Sequence, residues 1–275
     1  MIAANPETGQ IRPPAPPRAW TNIRIFGHVL MALWIISGAS LLYFLGSNVA
    51  STFVEKYWLK YVDGFLVTLQ IVGLSLLVGA LLSIPVALAR NSKWKIFSWP
   101  AYGYVYFFRG TPLLAQTFLI YYGAGTFRQE LEAVGLWGFF REAWYCVIFA
   151  FSLNTAAYQA EILRGAILNV PKGQWEGAEA LGISTPVTFF KIILPQALMV
   201  ALRPYGNEII LMIKGSAIAS IITIYDLMGE TRRAYSRSYD FQAYIWAAVA
   251  YLLIVETLRR IWDKIEARLT RHLKR

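Results

Sequence analysis

Polar residues inside apolar stretches are the part of this sequence that could do chemistry, and Asn207, Glu208 and Lys214 form the densest group. A charged side chain at the middle of a membrane costs about 2.5–3.5 kcal/mol, so it usually faces an aqueous cavity or a partner helix. Glu208 and Lys214 lie six residues apart, which is about 240° around a regular helix. Either the helix breaks near Gly215, or the two side chains face different surroundings.

This group predicts a path that binds and moves a polar solute. A helix broken within the membrane is a common way for a transporter to present polar groups to a solute. Glu208 has the charge to pair with a cationic group on that solute. The sequence leaves one alternative open, in which Glu208 lies near the cytoplasmic interface and only forms a hydrogen bond with a neighbouring helix.

Two other apolar stretches contribute further candidates for this path, Gln116 and Tyr158. Gln116 follows Pro112, which is expected to kink its helix and free a backbone carbonyl. Tyr158 lies one helical turn after Asn154, so these two side chains share one face. Arg109 is expected to extend its side chain to the cytoplasmic interface, as long basic side chains do near the ends of spans.

Other kinds of chemistry lack the residues that they need. The sequence contains no G-x-x-x-x-G-K-[ST] phosphate loop, so we do not expect this chain to bind ATP by that device. Its two histidines, His28 and His272, are too few and too far apart for a metal cluster. A single cysteine, Cys146, cannot build a disulfide framework. We therefore expect no catalytic residues, no metal site and no cofactor in this chain.

The elements that position the polar residues are predicted to be membrane-spanning helices. Of 275 residues, 57% are hydrophobic and 15% are charged, whereas a soluble domain carries about 25% charged residues. The apolar residues form blocks of about 20, the length that crosses a bilayer. The sequence thus predicts an all-α, polytopic membrane helix bundle of about six transmembrane helices. The predicted spans are residues 26–46, 64–89, 101–122, 143–163, 204–226 and 242–261.

Two features of these spans are interpreted as structural. Gly73, Gly79 and Ser83 in the second span are small residues, which allow helices to pack closely. Near the end of the fourth span, Glu161 and Arg164 are three residues apart. This spacing places them on one helix face and predicts an ion pair.

The basic residues predict the orientation of the chain, because lysine and arginine are enriched in cytoplasmic segments. With the N terminus inside, inner segments hold seventeen of them and outer segments hold seven. The net charge of +10 is therefore interpreted as a mark of the cytoplasmic side, and no nucleic-acid partner is expected. One outer loop, residues 227–241, carries three arginines, which Asp226, Glu230 and Asp240 are expected to offset.

This orientation places both termini in the cytoplasm and divides the chain into four parts. Residues 1–25 are predicted to be a flexible, proline-rich tail. Residues 26–62 hold one N-terminal transmembrane helix and an outer loop, and residues 63–262 hold a core of five spans. Residues 263–275 form a basic cytoplasmic tail.

A polar hairpin, residues 171–195, separates the apolar blocks on the cytoplasmic side. Its first helix is predicted from about residue 174 to residue 181, and Gly182 suits a left-handed cap. The pair Ser184-Thr185 can cap the second helix. Pro195 is expected to kink or end that second helix.

The hairpin resembles the E-A-A-x-x-x-G-x9-I-x-L-P signature of permease subunits in ATP-binding cassette (ABC) importers. It contains Glu176-Gly177-Ala178, then Gly182 after three residues, and Ile192 to Pro195 after nine more. Gly177 replaces the usual alanine, which costs about 1 kcal/mol of helix stability.

Further runs resemble the branch of that family that transports polar amino acids, and they are most similar to the permeases for histidine, basic amino acids and opines. These runs are residues 106–114, 157–167, 194–198 and 207–211, and the resemblance covers roughly residues 60–265. The family commonly has Lys-Asp-Thr-Ser-Leu where this chain has Lys214-Gly215-Ser216-Ala217-Ile218.

The resemblance implies a machine of several chains. Two permease subunits, identical or homologous, would form the pore in a bacterial inner membrane. An ABC ATPase dimer would bind ATP-Mg and dock on the 171–195 hairpin, and a periplasmic or extracellular solute-binding protein would deliver a polar, basic amino acid or an opine-type derivative. The docking residues implied by the signature and its surroundings are Trp175, Glu176, Gly177, Ala178, Gly182 and Pro195. Trp175, Ala178 and Gly182 would share the face that meets the ATPase.

One alternative from another class is an ion-coupled secondary transporter or channel that acts alone. It would use Glu208, Lys214 and Glu256 as the path of an ion or proton. The sequence shows no internal inverted repeat, which such transporters often have.

Overall fold

The computed structural model describes residues 20–49 and 51–271. Helices fill most of these two ranges, and neither contains a β-strand, so the predicted all-α class is confirmed. One compact unit ends at Lys56, and a second begins at Tyr57. The helices are α1 (Asn22–Asn48), α2 (Thr52–Arg90), α3 (Lys95–Gly110), α4 (Leu113–Thr126), α5 (Arg128–Ala133), α6 (Trp137–Phe140), α7 (Ala143–Leu168), α8 (Lys172–Ala180), α9 (Thr185–Thr188), a π-helical turn (Phe189–Ile193), α10 (Leu194–Gly215), a 3₁₀ helix (Ser216–Ile222), α11 (Leu227–Ser238) and α12 (Gln242–Leu269).

Four helical stretches in the described ranges are long and apolar enough to cross a bilayer. They are Asn22–Asn48, Thr52–Arg90, Ala143–Leu168 and Thr185–Ile222. These stretches contain the predicted first, second and fourth spans and most of the fifth. The membrane helix bundle is thus confirmed as a class, whereas the number of six spans stays a prediction.

The first unit contains α1, which begins directly after Thr21. The hydroxyl oxygen of Thr21 accepts a hydrogen bond from the backbone N of Arg24 at 3.3 Å, and so satisfies one of the free N–H groups at the helix start. Residues 22–25, predicted as part of a flexible tail, are the first turn of this helix. Residues 1–19 of the predicted tail lie outside the described residues.

The predicted third span, residues 101–122, is two helices and not one kinked helix. Thr111 and Pro112 separate α3 from α4. Thr111 has extended backbone angles, φ −116° and ψ 149°, because the ring of the next residue disfavours a helical conformation there. Pro112 also has no N–H to donate to the carbonyl of Phe108, so the break frees that oxygen.

Helix α7 holds the centre of the second unit and packs against α3, α4 and α10. Helix α2 approaches it closely at Gly79, where an added Cβ would overlap the side chain of Thr155. The packing role predicted for Gly79 is therefore confirmed. Gly73 differs, since a Cβ there would meet nothing within 4 Å in the described chain. Ser83 is buried, with 1% of its surface exposed.

The prediction that Pro195 ends its helix is wrong, because the chain stays helical from Thr185 to Ile222; a kink at this position stays a prediction. A π-helical turn precedes the proline, and in it the N–H of Leu194 donates to the carbonyl of Phe189. This wider turn shifts the hydrogen-bond register. Pro195 then lies in the first turn of α10, where a missing N–H costs little.

The polar segment before this helix contains α8, which ends next to Gly182. Gly182 has a φ of +71°, a left-handed conformation that glycine adopts without strain, as expected for this position. The backbone N–H of Ile183 donates to the carbonyl of Ala178 at 3.0 Å, and that of Gly182 donates to Glu179 at 2.9 Å. These two bonds satisfy carbonyls that the helix end leaves free.

Most of residues 227–241, which were predicted as an outer loop between spans, form helix α11, and their outer placement stays a prediction. The carboxylate of Asp226 caps the helix, since its Oδ1 accepts a hydrogen bond from Gly229 N at 2.9 Å.

The last helix, α12, also differs from its prediction. Helix α12 continues to Leu269, well into the predicted basic tail. Before that tail, Arg259 pairs with Glu256 at 2.9 Å and with Asp263 at 3.1 Å.

Candidate functional site

Two amide side chains hold the break between α3 and α4. Gln116 Nε2 donates to the carbonyls of Phe108 (2.9 Å) and Thr111 (3.0 Å). Asn154 Nδ2, on α7, donates to Phe108 O at 3.0 Å and to Gln116 Oε1 at 2.9 Å. The carbonyl that Pro112 frees thus has two donors within an apolar bundle, where an unpaired carbonyl is costly.

This network places Gln116 differently from the sequence prediction, which put it on the solute path. Only 2% of its surface is exposed, and both its amide nitrogen and its amide oxygen are bonded within the chain. Its contacts stabilise the broken backbone. The sequence feature that indicates this role is the amide side chain four residues after Pro112, on the helix that follows the break.

Arg109 and Tyr158 lie next to this break and contact each other. The guanidinium carbon of Arg109 is 5.2 Å from the centroid of the Tyr158 ring, a cation–π contact worth about 0.5–1 kcal/mol at an exposed site. Both line a groove of about 320 Å³, together with Glu161 and Pro204. The groove brings together a guanidinium, a phenol and a carboxylate, and these groups can contact a zwitterionic solute.

The predicted ion pair of Glu161 with Arg164 is present. Arg90, at the end of α2, is a second partner, with its Nη2 3.5 Å from Glu161 Oε2. The guanidinium of Arg90 also lies over the ring of Tyr102, 4.9 Å from its centroid. One carboxylate thus joins α2 and α7, and Arg90 extends the connection to α3.

Glu208 lies on the buried side of α10, with 5% of its surface exposed. Its Oε1 accepts a hydrogen bond from the hydroxyl of Thr155 at 2.8 Å. Gln159 Nε2 donates to the same hydroxyl oxygen at 3.1 Å and to the carbonyl of Leu76 at 3.2 Å. This chain of bonds connects Glu208 on α10, through α7, to α2.

Glu208 also lines a cavity of about 520 Å³. Most of its other walls are apolar, including Leu76, Ile84, Phe190, Leu198 and Trp262. The carboxylate is thus the anionic group in the wall of a largely apolar cavity.

Asn207 and Lys214 are exposed in this chain, unlike Glu208. Asn207 lines a groove of about 260 Å³, which Arg203 and Glu266 also line. Lys214 lies in the last turn of α10, and the helix becomes 3₁₀ after Gly215. Both explanations offered for the spacing of Glu208 and Lys214 therefore hold, since the α-helix ends near Gly215 and the two side chains face different surroundings.

The side chains of α8 are arranged differently from the face proposed for docking. Ala178 is buried, with 4% of its surface exposed, and Trp175 packs beside the cluster that contains Leu163 and Ile193. These two side chains face the body of the chain because their apolar surface is covered there. The exposed residues of the segment are Lys172, Gly173, Gln174, Glu176, Gly177, Glu179, Ala180, Leu181 and Gly182, and Pro195 is also exposed.

Comparison with known proteins assigns this arrangement to a family. The family described as the inner membrane component of binding-protein-dependent transport systems matches residues 79–271. The chain belongs to this family. It is a membrane permease subunit of an ABC transporter, and such a subunit is not itself catalytic. A transporter or channel that acts alone is not favoured.

Two relatives of this permease illustrate the similarity. The nopaline transport system permease protein NocM of Agrobacterium fabrum is 47% identical over 208 residues, which are 75% of this chain and 86% of NocM. The histidine/lysine/arginine/ornithine transport system permease protein HisM of Escherichia coli is 38% identical over 229 residues, which are 80% of this chain and 96% of HisM.

Solved structures share the fold. An amino acid ABC transporter with histidines has a TM-score of 0.71 and 33% sequence identity, and the match covers 78% of this permease and 96% of that chain. The methionine ABC transporter MetNI in an inward-facing conformation has a TM-score of 0.65, with 20% identity over 78% of this permease and 99% of that chain. At this lower identity the match shows the fold alone.

Proposed function

We propose that this permease moves a polar amino acid with a cationic group, or an opine-type derivative of one, into the cytoplasm. The observation that carries the proposal is the similarity to the nopaline permease, which extends over three quarters of the chain. HisM, named for histidine, lysine, arginine and ornithine, supports the same solute class. The permease would work in the bacterial inner membrane with both termini in the cytoplasm.

The proposal includes three kinds of partner protein. A second permease, identical or homologous, would complete the pore. A solute-binding protein would deliver the solute on the outer side, and an ABC ATPase dimer would bind ATP-Mg on the inner side. This chain would itself need no cofactor.

The proposed place of ATPase docking is the 171–195 hairpin. The exposed positions Glu176, Gly177 and Gly182 would contact the ATPase. Trp175 and Ala178 would instead hold α8 against the permease, because their side chains pack there. A force on α8 would then pass directly to the helices on which these two residues pack.

Gly182→Glu tests this docking, because it adds a bulky charge to the exposed end of α8. We expect the ATPase to be lost from the purified complex. Gly182→Ala is the matched control, since it shares the strain of a side chain at a φ of +71° but adds no charge. Assembly and transport that survive Gly182→Glu would refute docking at this position.

The proposed solute path comprises Asn207, Glu208, Tyr158 and Lys214, with Gln116 supporting the break beside it. Glu208 would pair with the cationic group of the solute, because its carboxylate is buried and, within residues 20–49 and 51–271, accepts a hydrogen bond only from Thr155. The groove between Arg109 and Tyr158 would contact the carboxylate end of the same solute.

Uptake by the reconstituted complex in vesicles tests the transport proposal. We expect ATP-dependent uptake of nopaline, arginine or histidine, and we expect Glu208→Gln to reduce it or to change the preference among these solutes. Glu132→Gln, on the exposed helix α5, is the control and should behave like the wild type. Unchanged uptake and unchanged preference in Glu208→Gln would remove Glu208 from the path. Uptake without any ATPase would contradict the proposed function as a whole.

A further inference from the structure

The C-terminal end of α12 carries an exposed basic face that the solute path does not use. Arg260, Lys264 and Arg268 follow one another at spacings of four residues, and Arg271 comes three residues later. These spacings place the four side chains on one side of the helix and of its continuation. All four residues are exposed. We call them the α12 basic face.

The opposite side of α12 packs against α10. Trp262 Nε1 donates to the carbonyl of Leu202 at 2.8 Å, and Glu266 pairs with Arg203 at 2.8 Å. Lys264 lies two residues from both Trp262 and Glu266, which is about 200° around the helix. The α12 basic face therefore points away from α10, and its direction is set by the contacts of Trp262 and Glu266.

The acidic residues of α12 leave most of this face unpaired. Glu256 pairs with Arg260 at 2.7 Å and with Arg259 at 2.9 Å. Asp263 also pairs with Arg259, at 3.1 Å. The other three residues of the face form no ion pair within residues 20–49 and 51–271, and they are Lys264, Arg268 and Arg271.

An apolar stripe runs beside the α12 basic face. Ile261, Ile265 and Leu269 each come directly after a residue of the face, and they are 48%, 40% and 49% exposed. Because neighbouring residues are about 100° apart on a helix, the stripe and the face lie side by side. A basic face next to an exposed apolar stripe is typical of a helix at a membrane interface, where the stripe meets acyl chains and the charges meet headgroups.

The length of α12 places these residues at the level of the headgroups. Its 28 residues extend about 42 Å at 1.5 Å per residue. The hydrocarbon core of a bilayer is about 30 Å thick, and the core with both headgroup regions is about 40–45 Å thick. The predicted span ends at residue 261, so the part of α12 that follows passes through the headgroup region on the side predicted to be cytoplasmic.

We propose that the α12 basic face binds the anionic headgroups of membrane lipids such as phosphatidylglycerol. Clusters of four to eight basic residues directly on the cytoplasmic side of a membrane helix are typical of this recognition. The face has four basic residues, and Lys274 and Arg275 follow it in the sequence. The proposal goes beyond the transported solute and uses only the proposed orientation. A bound lipid would hold the end of α12 and, through Trp262, also hold α10.

The ATPase is the competing occupant, because it too is expected on the cytoplasmic side. The apolar stripe favours the lipid, since acyl chains cover such a stripe directly beside the headgroups. The position of the face at headgroup level favours the lipid for the same reason. The proposed ATPase contact lies instead on α8, where Glu176 and Gly182 are exposed.

The test uses the complete complex of permease, partner permease and ATPase, purified in an uncharged detergent. The probe is short-chain phosphatidylglycerol, and phosphatidylcholine of the same chain length is the neutral comparison. Each basic residue near an anionic surface contributes about fivefold in affinity. We therefore expect the triple variant Lys264→Gln, Arg268→Gln, Arg271→Gln to bind phosphatidylglycerol at least about tenfold more weakly at low salt, and we expect the difference to shrink at high salt.

Thermal unfolding gives a second measurement, because a ligand that binds the folded state raises its stability. Phosphatidylglycerol should raise the unfolding midpoint of the wild type more than that of the triple variant. A charge-conserving variant, Lys264→Arg, Arg268→Lys, Arg271→Lys, should behave like the wild type in both measurements. The control for location should do so too, and it removes three charges from the side predicted to be outer, Arg128→Gln, Arg141→Gln, Arg237→Gln.

Equal affinities of the wild type and the triple variant for phosphatidylglycerol would overturn the proposal. Equal binding of the two lipids by the wild type would overturn it as well, and so would an equal loss in the control for location. A triple variant that loses the ATPase from the complex would identify the α12 basic face as a contact of that partner and would also overturn the proposal. A wild-type complex that binds phosphatidylglycerol but moves no cationic amino acid would refute the proposed function alone.

Discussion

The indole ring of Trp262 on α12 occupies the space that a side chain at Gly206 on α10 would need. The indole Nε1 donates a hydrogen bond to the carbonyl of Leu202 at 2.8 Å, one turn before Gly206. The absence of a side chain at Gly206 and the size of Trp262 thus fit each other and fix the spacing of the two helices. No motif or spacing in the sequence predicts this contact.

The first prediction concerns this contact. Gly206→Ala should destabilise the permease by about 1–3 kcal/mol, because a well-packed contact cannot take an added methyl group without shifting its neighbours. Thermal unfolding of the purified complex, followed by the fraction that remains monodisperse, would measure the loss. Adding Trp262→Leu to Gly206→Ala should recover part of it, and a double variant less stable than Gly206→Ala alone would contradict a steric cause.

The second prediction compares two glycines in α2. Gly79→Ala should lower the midpoint of thermal unfolding, since the new methyl group would overlap Thr155 and press α2 away from α7. Gly73→Ala makes the same chemical change where a Cβ meets nothing within 4 Å. It should leave the midpoint unchanged or raise it slightly, because alanine favours helix over glycine. Equal midpoints for both variants would show that the close approach at Gly79 does not limit stability.

Two prolines show how far the sequence predicts this fold. Because proline has no N–H, the sequence predicted a kinked helix at Pro112 and a kink or helix end at Pro195. At Pro112 the chain breaks, and amide side chains bind the freed carbonyl. The helix does not end at Pro195, because a π-helical turn placed the proline in the first turn of a new α-helical segment. Whether the chain breaks or stays helical at a proline depends on the register of the backbone hydrogen bonds. No local pattern in the sequence predicts that register.

The 171–195 hairpin shows a different limit to prediction from the sequence. Spacing and glycine chemistry predicted α8 and the left-handed Gly182, because both depend on local backbone preferences. The direction in which Trp175 and Ala178 point depends on contact with distant helices, on residues such as Leu163. That packing is a tertiary property. The sequence therefore predicted the helix, but it assigned Trp175 and Ala178 to the docking face, whereas they pack against the permease.

The third prediction concerns the support of the α3–α4 break. Gln116→Leu and Asn154→Leu should each destabilise the complex by about 1–3 kcal/mol, because each leaves buried polar groups unpaired. Their effects should not add, since both residues bind Phe108 O and each other. A double-mutant cycle on the unfolding free energy should give a coupling of about 0.5–3 kcal/mol. Simple additivity would show that the two amides act independently.

The fourth prediction concerns Gly177, the position where the hairpin departs from its family pattern. An added Cβ there would meet nothing within 4 Å of the described chain, so Gly177→Ala should stabilise α8 by up to about 1 kcal/mol. Hydrogen exchange of residues 172–180 in the purified complex should slow, while the amount of copurified ATPase stays the same. Gly182→Ala is the opposite control, because its φ of +71° makes any side chain unfavourable there. If Gly177→Ala slows exchange but loses the ATPase, the space beside residue 177 is filled by the partner, and the glycine serves a close approach between the two chains.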